Sequence, residues 1–333
     1  MAYNLYNRRY IGNKYSLLSF IDSTISNIKF NSFADLFAGT GVVAEYFMNK
    51  GKKVIVNDNL FANYIFYIAW LSQNKYNASK VQKYINYYNE SDDFIINNYF
   101  SDTFSNTYFH YEDAKRIGSI REHLESNKSK FTKREFAILL SSLAYTTDKI
   151  ANTVGHFEAF LGTNPIKKKV MLQELNIKSY KISPDIYQKN ANEIIKNIQT
   201  DILYIDPPYN ARQYINFYHV LENLMEWKKP EVFGKTLKMA RNEKKSKYSQ
   251  SSALSYLKEL ILNAKAKYIL VSYNNTYEAK SMASVNKISA QDIRDLLSKI
   301  GKLKEFELDY RFFNAGKTDL KNHKEILYLC NLN

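Results

Sequence analysis

Apolar residues along this chain gather into short runs, rich in β-branched and aromatic side chains, that stop at glycine, proline or an acid. SFADLF (32–37) runs into AGTG and then into VVAEYFMNKG, whose apolar positions recur at helical spacing. KKVIVND (52–58) is a second strand pattern ending in an acid. DILYI (201–205) precedes DPPYNARQY, after which FYHVLENLMEW (217–227) reads as a helix. KYILVSY (267–273) predicts another strand, and ISAQDIRDLLSKIG (288–301) a helix with Ser289 at its cap and Gly301 at its end. FELDYRF and KEILYLC predict a closing pair of strands. Strands alternating with helices define an α/β fold on a mostly parallel sheet.

Between about 75 and 185 the alternation gives way to largely helical patterns, such as REFAILLSSLAYTTDKIANT. The simplest organisation is an α/β part formed by 1–74 and 186–333, interrupted by a mostly helical insertion over 75–185. A further irregular stretch, 228–247, carries eight basic and two acidic residues. No repeat or long low-complexity tract interrupts this plan.

Composition changes the picture in two ways. The formal charge of +14 fits a polyanionic partner, because phosphate neutralisation releases counterions. A lysine-rich composition without such a partner is the alternative reading. The 28 tyrosines and 20 phenylalanines are compatible with base stacking, or with a composition biased toward Asn, Lys, Ile and Tyr. The single cysteine, Cys330, excludes an internal disulfide and a cysteine-based metal cluster, which favours the cytoplasm. The first residues show neither a signal peptide nor a membrane span, and a monomer is expected. The five histidines lack metal-ligand spacing, so no metal is expected.

Two segments carry candidate chemistry. Gly39 and Gly41, between a predicted strand and helix, allow a tight turn and close approach of backbone N–H groups to a ligand. Asp58 at the end of the next strand could accept from ribose hydroxyls, and Asp35 could brace the glycine turn. With Ala44 in the last place, a dinucleotide site stays formally open, as does a purely structural turn. The second segment is Asp206-Pro207-Pro208-Tyr209. A carboxylate and a proline carbonyl can accept both hydrogens of an exocyclic amine while the base stacks on the tyrosine. A proline-stiffened turn is the bland alternative.

Taken in order, RRYIGNKYSLL (8–18), DLFAGTG (35–41), a long insertion and DPPY (206–209) resemble the DNA adenine methyltransferase family, in its Dam-like subgroup. The resemblance implies a Rossmann-like sheet and S-adenosyl-L-methionine as methyl donor. It also implies methylation of adenine N6 in double-stranded DNA after the base is flipped out of the stack. It places Tyr10 and Lys14 near the cofactor, Asp58 on its ribose, and Asp206 at both the donor pocket and the target amine, with Pro207 and Tyr209 beside it. Where the family has an aspartate for the cofactor's adenine, QKNANEII (188–195) offers Asn190, with Asn192 nearby.

The insertion then becomes the target-recognition region, and the 228–247 loop the phosphate contact. Arg212, Lys235, Lys238, Arg241, Lys244 and Lys245 are the DNA-binding candidates. Arg116 and Arg121 could read a groove or be solvated helix charges, and His219 could line the target pocket or pack a helix. GHFEAFLG (155–162) could serve recognition or scaffolding. Such enzymes commonly pair with a restriction endonuclease. An N4-cytosine methyltransferase, an RNA adenine methyltransferase and a non-catalytic DNA-binding module remain as alternatives.

Overall fold

A computed structural model describes residues 2–240, 242–277, 284–309 and 323–332. Candidate Arg241 and the end of FELDYRF lie outside the described residues. The chain forms two compact units. One comprises Met1–Gly12, Leu60–Ser179 and Ile215–Asn242, the other Asn13–Asn59, Tyr180–Tyr214 and Glu243–Asn333.

The second unit holds the sheet. In chain order its strands are β1 (Ser32–Asp35), β2 (Lys53–Asn57), β3 (Asp185–Tyr187) and β4 (Thr200–Ile205). A two-stranded hairpin, β5 (Val232–Phe233) with β6 (Lys238–Met239), belongs to the other unit. The large sheet continues with β7 (Ala266–Asn274), β8 (Lys302–Asp309) and β9 (Lys324–Asn331). Its spatial order is β3-β2-β1-β4-β7-β9-β8. The first five positions pair in parallel, and β9 slots antiparallel between β7 and β8. This is the mixed α/β sheet of a Rossmann-like fold. The edge strand β3 has only three half-buried residues and no apolar run, which is why its sequence did not announce a strand.

The central strands are buried on both faces, so their apolar residues run nearly without interruption. On one face Ala34, Leu203, Ile205, Ile269, Val271 and Tyr328 pack with α10 (Ala253–Leu262) and α11 (Ala290–Ser298). On the other, Phe33 stacks on Phe47 of α2 (Val42–Asn49) at 4.1 Å, with Tyr204 at 5.9 Å. Each fully buried side chain of this size contributes about 1.5–3 kcal/mol. Helix α11 begins in a capping box between Ser289 and Asp292. It ends before Gly301, where a Cβ would sit 2.2 Å from the Asn331 carbonyl oxygen. Remaining helices of this unit are α1 (Leu18–Ile25) and the short α8 (Ala191–Ile194).

The other unit is helical. It contains α3 (Phe61–Trp70), α4 (Ala78–Glu90), α5 (Tyr99–Phe104), α6 (Tyr111–Ser126), α7 (Lys133–Ile150) and nearly all of α9 (Tyr214–Glu226). The predicted helical character of the insertion holds as far as Ile150. Beyond it, residues 151–184 form no helix or strand. Buried charges staple this unit together. Glu222 accepts from the first free N–H groups of α3, those of Phe61 (2.9 Å) and Ala62 (2.8 Å).

Candidate active site

The turn after β1 needs glycine for a backbone reason: Gly39 and Gly41 have φ of 54° and 84°, in the left-handed region. Asp58 braces it, its Oδ2 accepting from the Gly39 N–H at 3.0 Å. Asn57 secures the neighbouring strand ends by donating to the carbonyls of Leu36 and Lys189 and accepting from the Lys189 N–H. Asp35 is buried at the end of β1, with the Phe37 N–H easing the charge on its carboxyl. Burial first, then the charges of Asp206 and Asp58, hold its carboxyl well above the usual range.

At the end of β3, the Asn190 side chain caps α8 by accepting from the Asn192 N–H at 2.9 Å. Asn192 itself is buried and committed. Its amide donates to the Tyr256 carbonyl and Glu259 and accepts from the Tyr248 hydroxyl. Of the two asparagines, Asn190 is the one left at the strand edge.

β4 delivers Asp206 into a group of charges with Lys14 and Glu325. Lys14 Nζ lies 3.1 Å from Asp206 Oδ1 and 3.3 Å from Glu325 Oε1, and it donates to the Tyr209 hydroxyl at 2.9 Å. That hydroxyl in turn reaches Asp206 Oδ1 and, at 2.9 Å, Glu325 Oε1. The Tyr209 carbonyl accepts from the Lys287 N–H and the Tyr273 hydroxyl, and the Tyr209 ring lies 4.6 Å from that of Tyr273. Pro207 is buried and Pro208 half-buried, so the turn is held from both ends. Burial pushes the Asp206 carboxyl up to about 6, with Lys14 pulling it down and Glu325 pushing it further up. Burial alone would lower the Lys14 ammonium, but Asp206 and Glu325 hold it above its ordinary value.

Lys14, Asp206 and Tyr209, which the sequence singles out, therefore meet. Glu325 and Ser272 join them without having been foreseen. Tyr10 belongs to the helical unit, where its ring stacks on Tyr218 at 4.7 Å.

A family model described as D12 class N6 adenine-specific DNA methyltransferase matches residues 10–309. The chain belongs to that family. Among curated relatives it is 34% identical over 331 residues to the type II methyltransferase M.NlaIII of Neisseria lactamica, covering 95% of each chain. It is 36% identical over 288 residues to M.FokI of Planomicrobium okeanokoites, spanning 80% of this chain and 44% of that one. To M.CviAII of Paramecium bursaria Chlorella virus 1 it is 29% identical over 329 residues.

Membership implies S-adenosylmethionine as cofactor, and the residues present fit it. A buried aspartate at the end of β1, a braced glycine turn and a second acid just after β2 suit a cationic, ribose-bearing ligand. No group of His, Cys, Asp or Glu among the described residues is arranged to hold a metal ion. No described helix of this methyltransferase is long and apolar enough to cross a membrane.

The basic candidates divide. Arg212, Lys235 and Lys245 are exposed and Lys244 is half-buried, whereas Lys238 is paired with Glu158 at 2.7 Å. Arg121 does not face solvent at all. It is 1% exposed and donates to the Leu224 and Met225 carbonyls at the end of α9, with Glu125 at 2.8 Å. Arg116 likewise donates to the carbonyls of Tyr88 and Asn89 at the end of α4. His219 is buried with a ring nitrogen at each of the Asn216 and Thr236 carbonyls, a packing role. Within GHFEAFLG, Phe157 is fully buried and bonded to Phe217 and Tyr108, which makes its centre scaffold.

Proposed function

We propose that this protein transfers a methyl group to N6 of adenine at a specific sequence in double-stranded DNA, as the modification enzyme of a restriction-modification system. In this reading it is a Dam-like enzyme of the DPPY type. The observation that carries it is the Asp206–Tyr209 turn, fixed by Lys14 within the unit that also contains the Asp58-braced glycine turn. The contacts from Lys14 and Tyr209 fall on Asp206 Oδ1. The second carboxylate oxygen and the Pro207 carbonyl are then the acceptors for the two hydrogens of an exocyclic amine.

That amine is a poor nucleophile, because its lone pair is delocalised into the purine. Two fixed acceptors favour a pyramidal nitrogen and stabilise the positive charge that grows on it. The lone pair forms the new N–C bond, and the methylated amine then sheds one proton, which Asp206 can accept. S-adenosylmethionine supplies the methyl group on a positively charged sulfur, which keeps the electron pair of the broken bond. Asp35, Asp58, Lys14, Tyr10, Asn190 and the Gly39–Gly41 turn are assigned to holding it. Asp206 fixes the alignment, so proximity accounts for most of the acceleration.

The target adenine must leave the helix to reach such a site, at a cost of a few kcal/mol that DNA contacts offset. Residues 75–185 are assigned to sequence recognition. Lys235, Lys244 and Lys245 are assigned to phosphates, with Lys238 and Arg241 as further contributors, and Arg212 to DNA near the flipped base. A partner endonuclease, a monomeric state and a cytoplasmic location complete the proposal. The names of M.NlaIII, M.FokI and M.CviAII, all type II methyltransferases, support the modification role.

The test is product analysis. Purified protein is incubated with labelled S-adenosylmethionine and duplexes of varied sequence, and the digested nucleosides are separated. Labelled N6-methyladenine in one sequence context is expected. N4-methylcytosine, label in RNA only, or DNA binding without any labelled nucleoside would each overturn the assignment.

A further inference from the structure

Glu325 is the second residue of β9, opposite Asn274 of β7 and Leu308 of β8, and is 3% exposed. Holding a strand in a sheet needs no charge at this position, and burying one is costly unless it is paired. Glu325 is paired three times over, and through a single oxygen. Its Oε1 accepts from Ser272 Oγ at 2.7 Å and from the Tyr209 hydroxyl at 2.9 Å, and lies 3.3 Å from Lys14 Nζ. The last two are the same donors that contact Asp206 Oδ1. A phenol has one hydrogen, so Tyr209 serves one carboxylate at a time. Lys14 has three, which its phenol and two carboxylate neighbours divide.

We infer that Glu325 is a positioning residue for methyl transfer, sharing the Lys14 ammonium and the Tyr209 hydroxyl with Asp206 so that neither is spent wholly on Asp206. With Glu325 absent, the whole ammonium charge bears on Asp206 and weakens it as an acceptor for the target amine. The inference rests on the role given to Asp206 above. Other titratable groups acting on Glu325 are the hydroxyls of Tyr204 and Tyr214, with His323 two positions before it in the chain.

The experiment compares the full-length protein with Glu325→Gln, Glu325→Asp and Ser272→Ala, reading kcat, KM for S-adenosylmethionine and for DNA, thermal midpoint and the pH dependence of kcat. Glu325→Gln is expected to lower kcat by about 10- to 100-fold, the usual scale for an outer partner of a reacting group, with both KM values within about threefold. The acid limb of its pH profile moves to lower pH, because the charge that raises Asp206 is gone. Glu325→Asp restores the limb and part of kcat, and Ser272→Ala lowers kcat in the same direction by less. A Glu325→Gln enzyme with parental kcat and acid limb overturns the inference, as does a loss confined to the thermal midpoint. Should Glu325→Gln not fold, a Ser272→Ala enzyme with parental kcat and limb overturns it equally. A parent enzyme that methylates no DNA defeats the functional reading itself, which the parent arm reports separately.

Discussion

The helical unit and the sheet unit both bury charged side chains, but they use them differently. In the helical unit several of them close helix ends. Arg121 and Arg116 cover the last carbonyls of α9 and α4, Glu222 covers the first N–H groups of α3, and Glu135 completes the capping box of α7. Each has a backbone partner, and the result is rigidity. In the sheet unit Lys14, Asp206 and Glu325 pair with one another rather than with the backbone. Here Lys14 is one positive group facing the carboxyls of Asp206 and Glu325, with those of Asp35 and Asp58 in the same unit. A surplus of that sign is expensive in a low-dielectric interior unless a cation joins it. The comparison teaches that burial of charge by itself does not mark a reactive site. Two carboxylates that share the same donors, Asp206 and Glu325, are what set the sheet unit apart.

The sharpest way to break this contrast is Asp206→Asn, which keeps shape and removes charge. A kcat loss of about 10³-fold with an unchanged thermal midpoint is expected, and a variant with parental turnover would erase the distinction. Arg121→Ala should do the reverse. Its loss leaves the buried Leu224 and Met225 carbonyls without their donor, at a cost of about 1–3 kcal/mol, visible in denaturant unfolding, while turnover per folded molecule at low temperature stays parental. Asp58→Ala removes the brace of Gly39 and should weaken cofactor binding about tenfold by titration calorimetry, in line with one lost hydrogen bond to a charged group.

pH tests the same site without mutation. Asp206 must be ionised to accept, and its carboxyl lies at about 6. So kcat should be half-maximal near pH 6 and fall about tenfold per unit below it. A flat profile down to pH 5 would count against the role. The smallest effect is expected from Asn190→Asp, which returns the acid that the family pattern places there. It should change cofactor affinity by a few-fold, in the direction of tighter binding.

Local chemistry was legible before the structure. The strand–glycine–helix unit around 32–49 and the strand running into DPPY are each specified within about fifteen consecutive residues, and both fold as read. The helix over 290–298 announced its own cap. What escaped notice is non-local. Glu325 lies in KEILYLC, an ordinary strand pattern, and its partners Ser272 and Tyr209 are 53 and 116 positions away. Arg121 looked like a solvated helix charge because its neighbours are polar. Its position depends on where α9 ends, which no pattern within α6 encodes. The contact between Asp58 and the Gly39 N–H has the same origin, since it depends on the pairing of β1 with β2.

The placement of β9 between β7 and β8 has a consequence for biosynthesis. A ribosome releases Lys14, the glycine turn and Asp206 well ahead of Glu325, and β9 must thread between two strands already made. Until it does, Lys14 has only Asp206 to neutralise among these carboxylates. A nascent or shortened polypeptide lacking β9 would therefore carry every DPPY residue without the Glu325 carboxylate that shares the Lys14 and Tyr209 donors.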